Sequence, residues 1–320
     1  MAHSSDLDYV TFGRLEQRLL DANNHIDSEK NYKVLDTINE PNVSIGSGGS
    51  YPAAIFSSKV LIDKGLISIN MTPRDSLYNL KGINNLICYS WSGTSYGIIK
   101  AMDQYPKSIL VHGNEKTLHE PEVRLHYDGM DKEHSFISEA TTLIPMGELL
   151  KYYLHRKGIN EQEYLNSIIK DTFNNTIMNY NVDTKVFEIM SGDDTYTSAH
   201  ILDSIMAESG IGIPLIHEKY EYCHGRSVTS STNRLEHTLI YLINRETELD
   251  KLLLDIISHN YKNVIILKSN TKDKIVGEYI LSLKAYLLCN YISKIKGLGL
   301  SQVDYDPSVV KKLYRYKGEL

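Results

Sequence analysis

Two stretches of small polar residues stand where a chain can cradle an anion. Gly46-Ser47-Gly48-Gly49-Ser50 and Ser90-Trp91-Ser92-Gly93-Thr94-Ser95 each follow a short apolar run and precede a segment of helical character. Small residues let the backbone come close to an anion. The free N–H groups of a helix's first turn then point at it, and the helix dipole adds attraction. Ser and Thr hydroxyls add donors without bulk. The same residue types also cap helices and make turns with no ligand present, so one such loop alone decides nothing. Two in one half of the chain favour an anion site. A dinucleotide loop is disfavoured, because Tyr51 stands in place of the third glycine and Asn70 in place of the acidic residue that should end the next strand. No Gly-Lys-Ser/Thr step is present, which disfavours a nucleoside-triphosphate loop. His217, Glu221 and His224 offer metal-ligating side chains, and in a helix His217 and Glu221 would share a face at i, i+4. The second histidine of a zincin helix is missing, and Pro214 and Gly225 bracket the segment closely. Neither a metal nor a cofactor is expected.

The elements that must position these residues follow from the pattern of apolar runs and breakers. Asp6 to Ile26 reads as an amphipathic helix, with Leu15, Leu19 and Leu20 near helical spacing. Val43–Ile45, Leu66–Ile69, Asn85–Tyr89 and Ser108–Val111 read as strands. Helices are expected from the first small-residue turn to about Lys64, over Thr94–Gln104, and over about Ile137–His155. The pattern then restarts. Lys185–Met190, Thr238–Ile243 and Val264–Leu267 read as strands, and Ser198–Glu208, Thr247–His259 and Val276–Ile295 as helices. Alternating β and α elements imply parallel sheets flanked by helices. The expected class is therefore α/β, with two lobes at 1–157 and 158–320, each a mainly parallel sheet flanked by helices. The Asn-rich stretch Gly158–Val182 is the expected join between them.

Composition narrows the partners. The 320 residues are 42% hydrophobic and 23% charged, with a net charge of −6, as is ordinary for a soluble globular chain. An acidic surface steers neither nucleic acid nor an anionic membrane toward it, and neither partner is expected. Met1–Asp8 lacks the basic and apolar regions of a signal peptide, and no run of about 18 apolar residues suggests a membrane span. The three cysteines, Cys88, Cys223 and Cys289, are odd in number and far apart. That suits reduced thiols and a cytoplasmic location.

In order and spacing the chain resembles the sugar-isomerase (SIS) family, in the double-SIS arrangement of the isomerase domain of glucosamine-6-phosphate synthase and of fructosamine-phosphate deglycases. The resemblance runs from about Val43 onward. The family's Gly-Thr-Ser-Tyr turn reads Gly48-Gly49-Ser50-Tyr51, and its serine-rich phosphate loop, Ser-Gln-Ser-Gly-Glu-Thr, reads Ser90–Ser95. Its Ala-Ser-Thr-Lys element reads Ala140-Thr141-Thr142-Leu143. From Ser191 to Arg226 the match needs no gap. The Gly-Asp turn falls on Gly192-Asp193 or its neighbour Asp194, and Gly-Glu-x-x-His-Gly on Tyr220–Gly225. Asp304-Tyr305-Asp306-Pro307 precedes Lys311 and Lys312, where the family has a functional lysine. The chain departs from the family at Trp91, which replaces a small polar residue, at Leu143, which replaces a lysine, and at Arg226, which replaces a proline.

The resemblance implies two SIS-type lobes and a phosphate site made from Ser50, Ser90, Trp91, Ser92, Thr94, Ser95, Thr141 and Thr142. It further implies an aldose–ketose isomerase, deglycase or deaminase acting on a sugar phosphate or aminosugar phosphate through an enediol. Glu208 would move the proton between C1 and C2, at a pKa raised by partial burial. His224 would open the ring, and Lys312 would steady developing charge. In the resembling enzymes this histidine can come from a neighbouring subunit, which implies a homodimer. No glutaminase segment precedes the lobes, so glutamine is not expected as a nitrogen source within this chain. A non-catalytic phosphosugar sensor on the same fold is the alternative.

Overall fold

The computed structural model describes residues 14–77, 80–105, 107–116, 119–131, 133, 137–232 and 236–300. The apolar runs become strands β1 (Asn42–Gly46), β2 (Ser68–Met71), β3 (Asn85–Tyr89), β4 (Ser108–His112) and β5 (Glu122–Arg124). They pair in parallel in the order β2-β1-β3-β4-β5. β1 and β4 are buried along their whole length. That is why they read as continuous apolar runs and not as alternation. A second parallel sheet holds β6 (Val186–Ser191), β7 (Ile213–Glu218), β8 (His237–Ile243) and β9 (Asn263–Lys268), in the order β7-β6-β8-β9. Both sheets place their first strand centrally and step one way to the second strand, the other way to the third. Each therefore has a topological switch point between its first and third strands, at whose carboxyl end ligands bind in such folds.

Helices cover the sheets: α1 (Leu15–His25), α2 (Ser28–Leu35), α3 (Tyr51–Asp63), α4 (Tyr96–Gln104), α5 (Ala140–Arg156), α6 (Glu161–Asn175), α7 (Tyr196–Ser209), α8 (Glu248–Ile257) and α9 (Lys274–Lys296). Pro52 in the first turn of α3 suits a helix start. Gly210 at φ 68° and Gly297 at φ 65° end α7 and α9 in the left-handed conformation that glycine adopts freely. One apolar core runs through both lobes, from Phe56 and Val111 in the first to Ile189, Leu242 and Tyr279 in the second. α9 packs on α5, α6 and α7, so it fastens the lobes together.

Three expectations change. The stretch Gly158–Val182 is not merely a join, since it holds the 15-residue α6, which buries Leu165, Ile168, Ile169 and Thr172 at helical spacing. α6 packs on α1 and α5. His217 and Glu221 share no helix face, because His217 lies on β7 and Glu221 follows the strand's end. The N-terminal helix begins, among the described residues, at Leu15. The part of it placed at 6–13 lies outside them.

Candidate functional site

The two small-residue loops leave β1 and β3, the central strand and its neighbour across the switch point of the first sheet. The β1 loop turns tightly: a Cβ on Gly46 would stand 2.4 Å from the Ser50 carbonyl oxygen, and Gly48 sits at φ 52°. Its far side is clamped. A Cβ on Gly49 would stand 2.5 Å from Ser138 Cβ, and Thr142 Oγ1 donates to the Gly49 carbonyl at 2.7 Å. Thr142 is 1% exposed. Its hydroxyl therefore holds the loop from within the protein and is not turned to a ligand.

The β3 loop is held by its own atoms. Ser90 is buried, its N–H donates to the Val111 carbonyl at 3.1 Å, and its carbonyl accepts from Gly93, which turns the chain at φ 68°. Ser92 Oγ accepts from the Thr94 N–H at 3.2 Å and from Thr94 Oγ1 at 3.0 Å. The Trp91 ring is packed so closely over Gly113 that a Cβ there would stand 2.4 Å from it, and it joins the core. Trp91 thus enters the loop without filling it, because position 113 has no side chain. α4 then begins at Ser95, which makes no side-chain capping bond, and α3 begins at Ser50, which makes none either. The first N–H groups of a helix have no partner within it. At α3 these groups are already spent, since the Ser50 and Tyr51 N–H groups donate to the Ser47 and Gly48 carbonyls and Pro52 has none, so the start of α4 is the one of the two left without a cap.

The third element behaves differently. The N–H groups of Glu139 and Ala140 each donate to Glu133 Oε1 at 2.9 Å, and that of Thr141 to Glu133 Oε2 at 3.2 Å. An internal carboxylate already holds the start of α5, including the backbone of Thr141.

From the second lobe, α7 crosses against the Gly48–Ser50 turn. Glu208 lies near its C-terminal end, half-buried, and Ser204 Oγ donates to its Oε1 at 3.0 Å. Burial raises its carboxyl above the usual range, and the Ser204 bond opposes this only in part. Glu208 lies within electrostatic reach of Tyr286 on α9, whose hydroxyl donates to the Ser138 carbonyl at 2.7 Å. Tyr286 and the β1 loop thus meet at Ser138. On the β2 side of the same loop a cleft of about 250 Å³ opens, lined by Ser47, Tyr51, Thr72, His200, Asp203 and Ser204 among others. The sequence reading missed His200 and Asp203. Their signal was present, since they stand three residues apart on the helix that carries Glu208.

His224 is not brought to Glu208 within one chain. It lies exposed in the turn after β7, while Glu208 precedes that strand. The strand Ile213–Glu218 separates them; at about 3.3 Å per residue that is roughly 20 Å. The turn is anchored by Tyr222, which is buried and whose hydroxyl pairs with that of Tyr261 at 2.9 Å. His217 faces inward, its Nε2 3.0 Å from Glu188 Oε2. No metal-holding group of three His, Cys, Asp or Glu side chains is assembled among the described residues. Lys311 and Lys312 lie outside the described residues. No helix among the described residues is long and apolar enough to cross a membrane.

No protein-family model matches the chain, and no curated protein matches it. Solved structures match along nearly its whole length. A Clostridium difficile 630 protein, provisionally described as a phosphosugar isomerase, is 17% identical with a TM-score of 0.69, the match covering 98% of each chain. The C-terminal domain of glucosamine-fructose-6-phosphate aminotransferase from Francisella tularensis is 14% identical with a TM-score of 0.70, covering 94% of this chain and 98% of that one. Tagatose-6-phosphate ketose/aldose isomerase from Escherichia coli is 13% identical with a TM-score of 0.68, covering 92% and 94%. What is shared at such identities is the fold: two parallel-sheet lobes of the sugar-isomerase type.

Proposed function

We propose that this chain is a phosphosugar-binding enzyme, an isomerase or deglycase/deaminase that works through enediol-type proton transfer on a sugar phosphate or aminosugar phosphate. The observation that carries the reading is the nearness of unlike groups at the carboxyl edge of the first sheet. The uncapped start of α4 stands ready for the phosphate, and α7 lies against the neighbouring β1 loop with a half-buried carboxyl of raised pKa. Ser50, Ser92, Thr94 and Ser95, with the amides of α4's first turn, hold the phosphate. Ser90 and Trp91 shape that loop from beneath.

Glu208 shuttles the proton. A carboxyl poised above the usual range is a stronger base when ionised and keeps more of its protonated form near working pH, so it can both take and return a proton. The base form fills as pH rises, so turnover limited by proton abstraction climbs through that raised pKa. The neighbours support the class: one is named for ketose–aldose isomerisation and another for an aminotransferase acting on a hexose phosphate. His224, exposed and remote from its own Glu208, serves the site of a second copy, which makes a homodimer part of the proposal. Lys312 is assigned charge stabilisation. A cytoplasmic setting is supported by three free cysteines, of which Cys223 is exposed.

The test is turnover of hexose, pentose and aminosugar phosphates by the wild type and by Glu208→Gln. General acid–base catalysis is worth about 10²–10⁴-fold, so the variant should lose at least about 100-fold while still binding. Full turnover in the variant refutes the mechanism. Binding with no turnover in the wild type favours the sensor.

A further inference from the structure

The cleft on the β2 side of the Gly46–Gly48 segment has a chemistry of its own. None of its lining comes from Ser90–Ser95. Asp203 supplies a half-buried carboxyl, and no described residue gives it a hydrogen bond or an ion pair. Burial alone raises its pKa. Holding a carboxylate partly out of water without a partner costs free energy, and clefts that keep such groups are candidates for function.

Its neighbours cannot neutralise it. His200 is held uncharged, its pKa pushed down by burial and by Lys59 to about 4. Lys59 itself is committed elsewhere, to Glu278 Oε1 at 3.2 Å and to the Asp193 carbonyl. The surroundings are aromatic. Tyr196 and Tyr51 stand edge-on to the His200 ring, with centroids at 4.4 and 5.4 Å, and Tyr196 lies within electrostatic reach of Asp203. Tyr51 lines the cleft together with Asp203, and an aromatic ring near a carboxylate adds to its attraction for a cation. His200 Nε2 is closed off from solvent and has no hydrogen-bond partner. The cleft is joined to the proposed active site through Ser204, which lines it and also donates to Glu208.

We propose that this cleft binds a protonated primary amine on a small hydroxylated ligand, with Asp203 as its counter-ion and the Tyr196 and Tyr51 rings beside it. The inference rests on the phosphosugar reading and narrows it. An aminosugar phosphate is the substrate class that would use both the first-lobe loops and this cleft.

The experiment is calorimetric titration of the full chain and of Asp203→Asn with glucosamine, glucose, glucosamine 6-phosphate and glucose 6-phosphate. A charge-assisted contact predicts that the wild type prefers each amine-bearing sugar over its neutral counterpart by about tenfold or more. Asp203→Asn should remove that preference, leave glucose 6-phosphate affinity unchanged, and melt at or above the wild-type temperature. Equal affinity for amine-bearing and neutral sugars in the wild type overturns the proposal, as does a preference that survives in Asp203→Asn. A glucosamine preference without any added affinity from the phosphate would uphold the cleft and refute the phosphate loops. Phosphosugar binding indifferent to the amine would do the reverse. No heat with any of the four sugars overturns both.

Discussion

At the carboxyl end of β3 the chain enters α4 through Ser95, whose side chain caps nothing. At the matching place in the second lobe, the end of β8, it enters α8 through Thr247, which forms a reciprocal capping box with Asp250. The contrast continues around both switch points. After β1 the chain enters α3 with no side-chain cap, through a backbone turn in which the Ser50 and Tyr51 N–H groups donate to the Ser47 and Gly48 carbonyls. After β6 it enters α7, and the N–H groups of Thr197 and Ser198 donate to the buried Glu278 carboxylate at 2.6 and 3.2 Å. Asn244, just past β8, donates to the Asp194 and Lys274 carbonyls at 2.8 and 2.7 Å, packed so tightly that a Cβ on Gly277 would stand 1.8 Å from its Oδ1. Lys219 Nζ reaches Asp250 at 2.7 Å across the same edge. One topology thus serves two ends. The second lobe closes its ligand edge with its own side chains, and the first leaves the start of α4 open. The lesson is that strand order alone does not mark a site; unspent hydrogen-bond donors do.

The largest effect should come from opening the closed edge. Glu278→Ala leaves Lys59, 16% exposed, without its carboxylate and removes the acceptor at the start of α7. Breaking a buried ion pair from one side costs about 3–5 kcal/mol, to be read from urea unfolding. A loss below about 1 kcal/mol would mean that the closure is not structural. The next effect is a pH dependence. Burial works to raise the Asp250 carboxyl, but hydrogen bonds from Lys219 and Thr247 outweigh it and hold it below the usual range. A depressed carboxylate stabilises the fold above its unfolded pKa, and that contribution is lost as pH falls through the folded value. The stability gap between wild type and Asp250→Asn should therefore be widest near neutrality and shrink below about pH 4. A gap that widens in acid would reverse the assignment. The smallest effect is the most discriminating. Thr247→Ala should cost about 1 kcal/mol, as lost caps do, and Ser95→Ala less than about 0.5 kcal/mol while weakening phosphosugar binding. Equal costs would erase the difference between the edges.

Much of the fold was legible because its signals are local. β3, β8 and β9 are apolar runs stopped by Ser90, Asn244 and Ser269, and both loop motifs sit where such runs end. β7 was missed because it carries Pro214 and alternates between exposed and half-buried residues at the sheet's edge. β5 was missed because it has only three residues. α6 was masked by its polar face, although Leu165, Ile168 and Thr172 carry the helical period. At the candidate site, the two loops stood out by their small polar residues, and Glu208 was singled out by the resemblance. The roles of Thr142 and Trp91 were not legible, because each depends on a partner distant in sequence, Gly49 and Gly113, and that of Glu133 depends on where the first N–H groups of α5 point. That no described residue pairs with Asp203 is equally invisible in a linear chain, since it depends on what surrounds the residue in space.

The central claim, that the open edge of the first lobe is where the sugar phosphate reacts, is tested most directly by a crystal structure of the full chain bound to a hexose phosphate. The account predicts the phosphate on the Ser92–Ser95 hydroxyls and the first-turn amides of α4, with C1 and C2 of the sugar within hydrogen-bonding reach of Glu208. Phosphate seated at the carboxyl edge of the second sheet, or a sugar whose reacting carbons lie away from Glu208, would contradict it.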